Sequence, residues 1–234
     1  MPERRWTWRQ SWRDLLFAHW PVAAEVIRPF VPDTLEVQEF DGTSWIGVVP
    51  FRMSGVMRRP WPDMPYLSAF PEINVRVYVE RDGKPGVWFF SLDATNPLAV
   101  WAARRFFHLP YFRSDIRIKA SSHSIQYTAK RREAEQTAEF RACYKPVSTV
   151  FEAAPGTLDH WLTERYCLYT ASSEGRLYRC EVHHLPWPLQ RAEALIDLNT
   201  ICIANNGIEL PGPPAWLHFS QHLDVVVWPI ELVV

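Results

Sequence analysis

The sequence predicts a mainly β fold with short helices, in which most neighbouring strands are antiparallel. Several segments alternate apolar and polar residues at period two, which is typical of strands with two unlike faces. Glycine-containing two-residue turns separate some of these segments, as in β-hairpins. The chain also has 20 prolines against 9 glycines, and 14% of its residues are aromatic, which favours short strands joined by rigid turns. These features favour a closed or nearly closed barrel.

The segment from residue 70 to 115 begins with the clearest hairpin signal. Four apolar residues alternate with four polar ones, namely Ile73, Val75, Val77 and Val79 with Glu72, Asn74, Arg76 and Tyr78. Asp82 and Gly83 then supply a two-residue turn, because glycine adopts positive φ without a Cβ clash. The return strand, Val87 to Leu92, is apolar on both faces and is expected inside the fold. This turn would place Asn74 opposite Ser91, Arg76 opposite Phe89 and Tyr78 opposite Val87.

A helix is predicted directly after this hairpin. Asn96 can accept hydrogen bonds as the N-cap, and Pro97 suits the first helical position. The helix should end near His108 or Leu109, since Pro110 disfavours helical geometry in the residue before it. Its inward face is predicted from helical spacing as Leu98, Trp101, Ala102 and Arg105, with Arg104 facing elsewhere.

The remaining elements follow from the same signals. Before the central hairpin we expect a helix over Val22 to Ile27 after Pro21, a hairpin of Leu35–Phe40 with Ser44–Met53, and an irregular loop over 54–69 containing Trp61 and Tyr66. After it we expect strands at Ile116–Ile118, Ser124–Lys130 and Ala138–Tyr144, a helix capped by Thr157, a hairpin of Arg165–Thr170 with Arg176–His183, and a last strand at His218–Val227. Asp197 to Ile203 fits a strand or a short helix.

Composition limits the class of protein. At 234 residues without a low-complexity linker, the chain is expected to form a single domain over 1–234. A net charge of −1 gives no electrostatic reason to expect nucleic acid as a partner. No apolar stretch is long enough for a membrane span, and no signal peptide is evident, so a cytoplasmic location without membrane association is expected. The four cysteines lack metal-ligand spacing and are expected to be reduced thiols; no cofactor motif occurs.

The polar face of the first hairpin strand is the principal candidate site. Glu72, Asn74 and Arg76 should point the same way, and their cross-strand neighbours are largely apolar, which suits a pocket wall; a solvent-facing strand side is the alternative. Tyr111 could converge on this wall after the helix, and arginine there suits a carboxylate, to which it can donate two parallel hydrogen bonds. His184 is a further candidate donor. The other histidines considered, His123, His160 and His218, have no acidic neighbour at useful spacing and are expected to be structural or exposed.

The order of motifs resembles that of the bacterial YqjF-like family, a domain of unknown function. The matching segments cover most of residues 15–190 and are FAHWPV, VPDTLEV, FDGTSWIGVVPF, FPEINVRVYV, GVWFFSLDA, AARRFFHLPY, ERYCLY and HHLPWPL. That family in turn resembles the acetoacetate decarboxylase superfamily, which implies a cone-shaped antiparallel β-barrel around a buried pocket. The resemblance also implies that Glu72 is a pocket carboxylate and that Arg13 is a further polar group of the site.

The same resemblance shows one chemically decisive difference. Acetoacetate decarboxylases form a Schiff base on a lysine that follows the proline after the helix. Here Tyr111 and Phe112 occupy the corresponding positions, and Lys119 is expected outside the barrel. Imine chemistry is therefore not expected, and the resemblance implies a pocket without implying a reaction.

These observations lead to a functional hypothesis with two alternatives. A small carboxylate or carbonyl compound would bind in the pocket, with Arg76 and Arg13 holding its anionic group. Glu72 would act as acid or base and Tyr111 as a hydrogen-bond donor, without a cofactor or metal. One alternative is a ligand sensor or scaffold that binds without turnover, and the other is a structural oligomerisation domain without a ligand. Association of several copies of the chain into a homo-oligomer is a further alternative.

Overall fold

A computed structural model describes residues 4–63, 68–132 and 137–233 of the chain. This part of the molecule is mainly β, as predicted. The strands are β1 Trp8–Val22, β2 Glu36–Val37, β3 Ser44–Arg58, β4 Phe70–Arg81, β5 Lys84–Ala94, β6 Tyr111–Ala120, β7 Ile125–Arg131, β8 Glu139–Pro146, β9 Cys167–Ala171, β10 Leu177–His184, β11 Gln190–Asn199, β12 Trp216–Val227 and β13 Glu231–Leu232. The helices are α1 Ala24–Ile27, α2 Pro97–Phe107, α3 Leu158–Thr163 and α4 Ile201–Asn206, with a 3-10 turn at Arg28–Phe30.

The strands form one sheet in the order β13-β10-β9-β5-β6-β7-β8-β11-β12-β1-β3-β4-β2. An additional pairing joins β4 to β5. The path through neighbouring strands therefore leads from β5 through β6, β7, β8, β11, β12, β1, β3 and β4 back to β5. Most pairs are antiparallel, but β5 runs parallel to both β6 and β9. Helix α2 connects β5 to β6, and their parallel pairing is short, joining residues 92–94 to residues 111–113.

The central hairpin, β4–β5, forms as predicted, with one shift in register. Asp82 and Gly83 adopt φ values of 53° and 72°, and Arg81 pairs with Lys84 across this turn. Arg76 lies opposite Phe89, as expected. Asn74, however, lies opposite Leu92 instead of Ser91, because a bulge between Val75 and Arg76 adds a residue to β5.

Helix α2 begins and ends where the sequence predicts. The side chain of Asn96 accepts hydrogen bonds from the backbone N–H groups of Leu98 and Ala99, and His108 closes the helix in a left-handed conformation. The predicted inward face is not buried as expected. Val100 is the buried residue of the helix, whereas Leu98 and Trp101 are 57% and 59% exposed.

The N-terminal third differs from the prediction in three ways. Pro21 pairs with Trp45 inside β1, so the first helix begins only at Ala24. Strand β2 pairs with β4 instead of β3, although the turn at Asp41-Gly42 is bridged by Phe40 and Thr43. Strand β3 extends through the first five residues of the expected irregular loop. Tyr66 lies outside the described residues.

The C-terminal half agrees more closely with the sequence prediction. Strands β6, β7 and β8 form consecutive antiparallel pairs, β9 and β10 form a hairpin, and Thr157 caps α3 through His160 N. Strand β11 was not predicted. The ambiguous segment from Asp197 to Ile203 contains both the end of β11 and the start of α4, which explains its mixed pattern.

Strand β4 has two buried faces of opposite character. Ile73, Val75 and Val77 are fully buried in one hydrophobic cluster, while the polar residues of the alternate positions point to the other side. Asp93 of β5 shares the face of its partner Ile73 and forms a buried bidentate ion pair with Arg131, at 2.8 and 2.7 Å. Burial of both faces is typical of a strand that lies between a hydrophobic core and an internal cavity.

Candidate functional site

A cavity of about 780 Å³ lies against the polar face of β4. Strands β1, β3, β5 and β10 and helix α2 contribute most of its other walls, which are largely apolar. Its lining includes buried side chains with hydrogen-bonding groups, among them Glu72, Asn74, Arg76, Tyr111, Arg165 and His184. Such a cavity, with a few polar groups among apolar walls, has the character of a small-molecule site.

Glu72 and Tyr111 form a hydrogen-bonded pair in the middle of the cavity. The Tyr111 hydroxyl donates to Glu72 Oε2 at 2.7 Å, and the Tyr127 hydroxyl donates to the Glu72 carbonyl oxygen. Burial raises the pKa of Glu72 from 4.5 to about 8, although the hydrogen bond from Tyr111 lowers it; the negative charge of Asp93 raises it further. Burial, and then the Glu72 charge, also raise the pKa of Tyr111. Glu72 is therefore mainly protonated at neutral pH.

Asn74 and Arg76 continue the same face of β4. Asn74 Oδ1 is buried without a hydrogen-bond partner in the described part of the chain. Arg76 Nη2 donates to the Leu162 carbonyl at 3.1 Å and approaches the Tyr78 hydroxyl at 3.4 Å. Gly47 lies opposite Arg76, and a Cβ there would come within 3.1 Å of the His19 ring, so this position accepts no larger side chain without a shift.

Arg165 is a second cavity arginine, which the sequence interpretation missed. Its Nε donates to the Trp161 carbonyl at 2.7 Å and its Nη1 to Gln38 Oε1, whereas Nη2 is buried without a partner among the described residues. Burial lowers the pKa of Arg165 to about 10, partly offset by Tyr78, while the charge of Arg76 lowers it further. The ERYCLY motif contains this residue, but it gives no sign that the side chain enters a cavity.

Arg76 and Arg165 both lie near the ring of Tyr78, and neither has a counter-ion in the described part of the chain. Their guanidinium carbons lie 5.6 and 4.9 Å from the ring of Tyr78. Within residues 4–63, 68–132 and 137–233, neither guanidinium has a carboxylate within 4.0 Å. Asp93, across the hairpin, is not a partner for Arg76, because it lies on the opposite face and pairs with Arg131.

Arg13 does not belong to the site. Its side chain is exposed and donates from Nε to Ser54 Oγ at 3.0 Å, outside the cavity. The neighbouring Trp12 lines the cavity, so the alternation of side chains along β1 turns Arg13 to the other face. The expectation that Arg13 binds an anion beside Arg76 is therefore wrong.

His184 does line the cavity. It is 3% exposed, its Nδ1 donates to the Leu185 carbonyl at 2.7 Å, and its ring stacks on Tyr166 at 4.6 Å. Burial lowers its pKa, although the hydrogen bond to Leu185 raises it. Backbone groups of both Leu185 and Arg165 therefore hold the ring at the cavity wall.

Two further buried polar networks were not predicted. His19 Nε2 lies 2.7 Å from the Tyr78 hydroxyl, which itself donates to the Leu162 carbonyl, so Nε2 carries the proton. His218 is fully buried and lies 3.0 Å from Asp159, a partner 59 residues away in the sequence. Burial alone would raise the pKa of Asp159, but hydrogen bonds from His218 and its other neighbours hold it well below its usual range.

The structure assigns the four lysines of the chain to positions away from the cavity. None is among the lining residues, and all four lie in the described ranges. Lys84 pairs with Glu181, Lys130 with Glu139 and Lys145 with Glu193, and Lys119 is exposed. The described residues contain no group of three or more His, Cys, Asp or Glu side chains that could hold a metal ion. No helix among them is long and apolar enough to cross a membrane.

The raised pKa of Glu72 predicts how stability depends on pH. The folded state holds this proton up to about pH 8, whereas the unfolded state loses it near 4.5. The free energy of unfolding should therefore fall between these values, by up to about 1.4 kcal/mol per pH unit, as pH rises. Glu72→Gln should remove this slope in urea unfolding at pH 5 to 9, with Glu193→Gln on the surface as the matched control. Parallel profiles for the wild type and Glu72→Gln would refute the shift.

Comparisons with known proteins agree with this architecture. The chain is 46% identical over 231 residues to the uncharacterized protein YqjF of Bacillus subtilis (strain 168), covering 99% of this chain and 94% of that protein. Its fold is similar to acetoacetate decarboxylase from Legionella pneumophila, with a TM-score of 0.68, 12% identity, and coverage of 100% of this chain and 92% of that one. The enduracididine biosynthesis enzyme MppR, complexed with pyruvate, gives a TM-score of 0.65 at 13% identity, covering 97% and 90%.

The structural similarities concern the fold, because the identities are low. The family assignment comes from the sequence, where the model of the DUF2071 family, described as an uncharacterized conserved protein, matches residues 9–224. The order of motifs had indicated the same relationship, and the 46% identity to YqjF confirms it. The chain therefore belongs to the DUF2071 family, with YqjF as a relative and a fold like that of acetoacetate decarboxylase.

Proposed function

We propose that this protein binds a small carboxylate or carbonyl compound inside a cone-shaped β-barrel and exchanges protons with it through Glu72. Arg76 and Arg165 hold the carboxylate. Glu72 acts as the acid or base, and Tyr111 donates a hydrogen bond to the carbonyl oxygen. The chemistry proceeds without an imine, since Tyr111 replaces the lysine of the acetoacetate decarboxylases and no lysine lines the cavity.

One observation carries the proposal: two buried arginines line the cavity, and neither has a carboxylate partner among the described residues. A buried cation without a counter-charge is strongly disfavoured, so a bound anion would relieve a cost that both arginines share. Carbonyl groups near the end of α3 satisfy only part of their donors. A carboxylate offers two acceptor atoms in the geometry that a guanidinium prefers.

The Glu72–Tyr111 pair supports proton transfer. A carboxyl group with a pKa of about 8 can give up or take a proton close to neutral pH, which suits a general acid–base catalyst. Glu72 and Arg76 are four residues apart on one strand, or roughly 13 Å. A ligand that reaches both groups therefore needs several bonds between its carboxylate and its carbonyl.

Hydrogen–deuterium exchange at carbon tests this function. Oxo acids with a 2-, 3-, 4- or 5-carbonyl would be incubated with the protein in D₂O and followed by proton NMR. The Glu72 carboxylate takes a C–H proton next to the carbonyl. The C–H electron pair forms the C=C bond, and the carbonyl π electrons move to the oxygen, which accepts a hydrogen bond from Tyr111. The proton on Glu72 exchanges with D₂O, and the reverse transfer then places deuterium on carbon and restores the C=O bond. Exchange should rise with pH towards about 8, and Glu72→Gln should abolish it while Tyr111→Phe slows it.

Three controls separate the alternatives. Borohydride added with the reactive oxo acid should leave the intact mass of the protein unchanged, because no imine forms. An oxo acid that raises the melting temperature without exchange would favour the ligand sensor. The absence of both exchange and stabilisation across the series would contradict the proposal and favour a structural role.

A further inference from the structure

The lining of the cavity changes character along its length. The register of β1, β3 and β4 orders its levels: Trp8 lies opposite Arg58, Met53 opposite Phe70, Phe51 opposite Glu72 and Gly47 opposite Arg76. Phe70 and Arg76 are six residues apart on β4, which corresponds to roughly 20 Å. The cavity is therefore long compared with a ligand of a few carbon atoms.

The two ends of this length differ in exposure. At the Arg76 end, Arg76 and Arg165 are each 8% exposed. At the opposite end, three apolar side chains that line the cavity are largely exposed to solvent. Trp61 is 67% exposed, Leu98 57% and Trp101 59%. The cavity is thus closed over its cations and opens between large apolar side chains.

The middle section between the two ends has few polar groups. Val49, Phe51 and Leu92 line the walls there, and the register of β3, β4 and β5 places Asn74 and the Glu72–Tyr111 pair at the same levels. Glu72 is uncharged at neutral pH, because burial raises its pKa to about 8. An apolar chain can therefore pass this section without meeting a fixed charge. A small polar acid would leave most of the wall without contact.

We infer that the ligand is an amphipathic carboxylate, whose anionic group lies at Arg76 and Arg165 and whose extended apolar chain runs towards Trp61 and Trp101. This inference rests on the proposed carboxylate site and adds the class of molecule that fills the remaining volume. The exposed apolar side chains at the open end then have a function, since they cover the distal part of the chain. Single exposed apolar residues are common, but three around one opening form a patch.

Isothermal titration with a homologous series tests this class. Hexanoate, octanoate and decanoate are the probes, and decanol is the uncharged analogue. Affinity should rise about fourfold for each methylene group added, and decanol should bind much more weakly than decanoate. Arg76→Met and Arg165→Met should weaken all three acids by a similar factor. Trp101→Ser should weaken decanoate but not hexanoate.

Two matched controls keep the test specific. Leu195→Ser removes an apolar side chain that is 67% exposed on β11, away from the cavity, and should change no affinity. Arg58→Met removes the exposed arginine at the open end and should have a small effect. Trp101→Ser is expected to fold normally because this side chain is exposed, and thermal unfolding of each variant checks this.

The outcomes distinguish this inference from the proposed function. Equal affinities for hexanoate and decanoate, both dependent on Arg76, would overturn the amphipathic class and leave the carboxylate site intact. Equal affinities for decanol and decanoate, unaffected by either arginine substitution, would overturn the inference and the carboxylate site together. A large loss from Arg58→Met with none from Arg76→Met would show the reverse orientation and contradict both.

Discussion

Replacing Arg131 with methionine should destabilise the protein by about 3–5 kcal/mol, because it leaves Asp93 buried without its counter-ion. The two side chains are only 3% and 2% exposed and share two hydrogen bonds. Ser114 Oγ also donates to Asp93, but a neutral donor cannot replace the lost charge. The loss would be measured by urea unfolding at pH 7.

A neighbouring arginine provides the matched control. Arg132 pairs with Asp115 on the surface, with side chains that are 46% and 58% exposed. Arg132→Met should therefore cost less than about 1 kcal/mol. A double substitution, Asp93→Leu with Arg131→Met, should recover much of the loss by removing both charges. A loss below about 1 kcal/mol for Arg131→Met alone would show that this ion pair does not stabilise the hairpin.

Replacing Arg76 with methionine should produce the second large effect, on binding. Truncating one partner of a buried charge pair costs about 2–5 kcal/mol, so carboxylate affinity should fall at least about thirtyfold. Stability should change little, because Tyr78 still donates to the Leu162 carbonyl that Arg76 also contacts. Arg76→Lys should not restore affinity, since an ammonium group cannot make the two parallel hydrogen bonds of a guanidinium. Titration calorimetry and urea unfolding on the same samples would separate the two effects.

A different result would assign Arg76 a structural role. If both substitutions lower stability by several kcal/mol in the absence of any ligand, the arginine serves mainly to hold the end of α3 through Leu162. Arg58→Met, at the open end of the same cavity, is the control for a general loss of positive charge. That outcome would remove the main reason to expect an anionic ligand.

The sequence predicted the elements that depend on local pattern. Alternation along β4 and the glycine turn at Asp82-Gly83 determine the hairpin, and Asn96 with Pro97 determines the start of α2. The bulge in β5 beside Val75 could not be predicted, because no residue type in this segment requires one. The exposure of Leu98 and Trp101 on α2 was also not predicted, because helical spacing does not show that this face borders an opening instead of the core.

Apart from Tyr111 and His184, the predicted residues that line the cavity lie on one strand. Glu72, Asn74 and Arg76 alternate on β4, so they share a face whatever the rest of the chain does. Arg165 follows α3 and meets the cavity only through the pairing of β5 with β9, which has no sequence signal. His218 likewise forms a hydrogen bond with Asp159, which is 59 residues away in the sequence. Arg13 was assigned from resemblance, and the direction of its side chain in β1 contradicts that assignment.

The location of a bound carboxylate tests the central claim most directly. A crystal structure of the protein with decanoate, or with the oxo acid that exchanges fastest, would show it. We expect both carboxylate oxygens within about 3 Å of guanidinium nitrogens of Arg76 or Arg165, the usual distance for such charged hydrogen bonds. A carboxylate bound at Arg58 near the opening, with the two buried arginines still contacting only protein atoms, would contradict the claim.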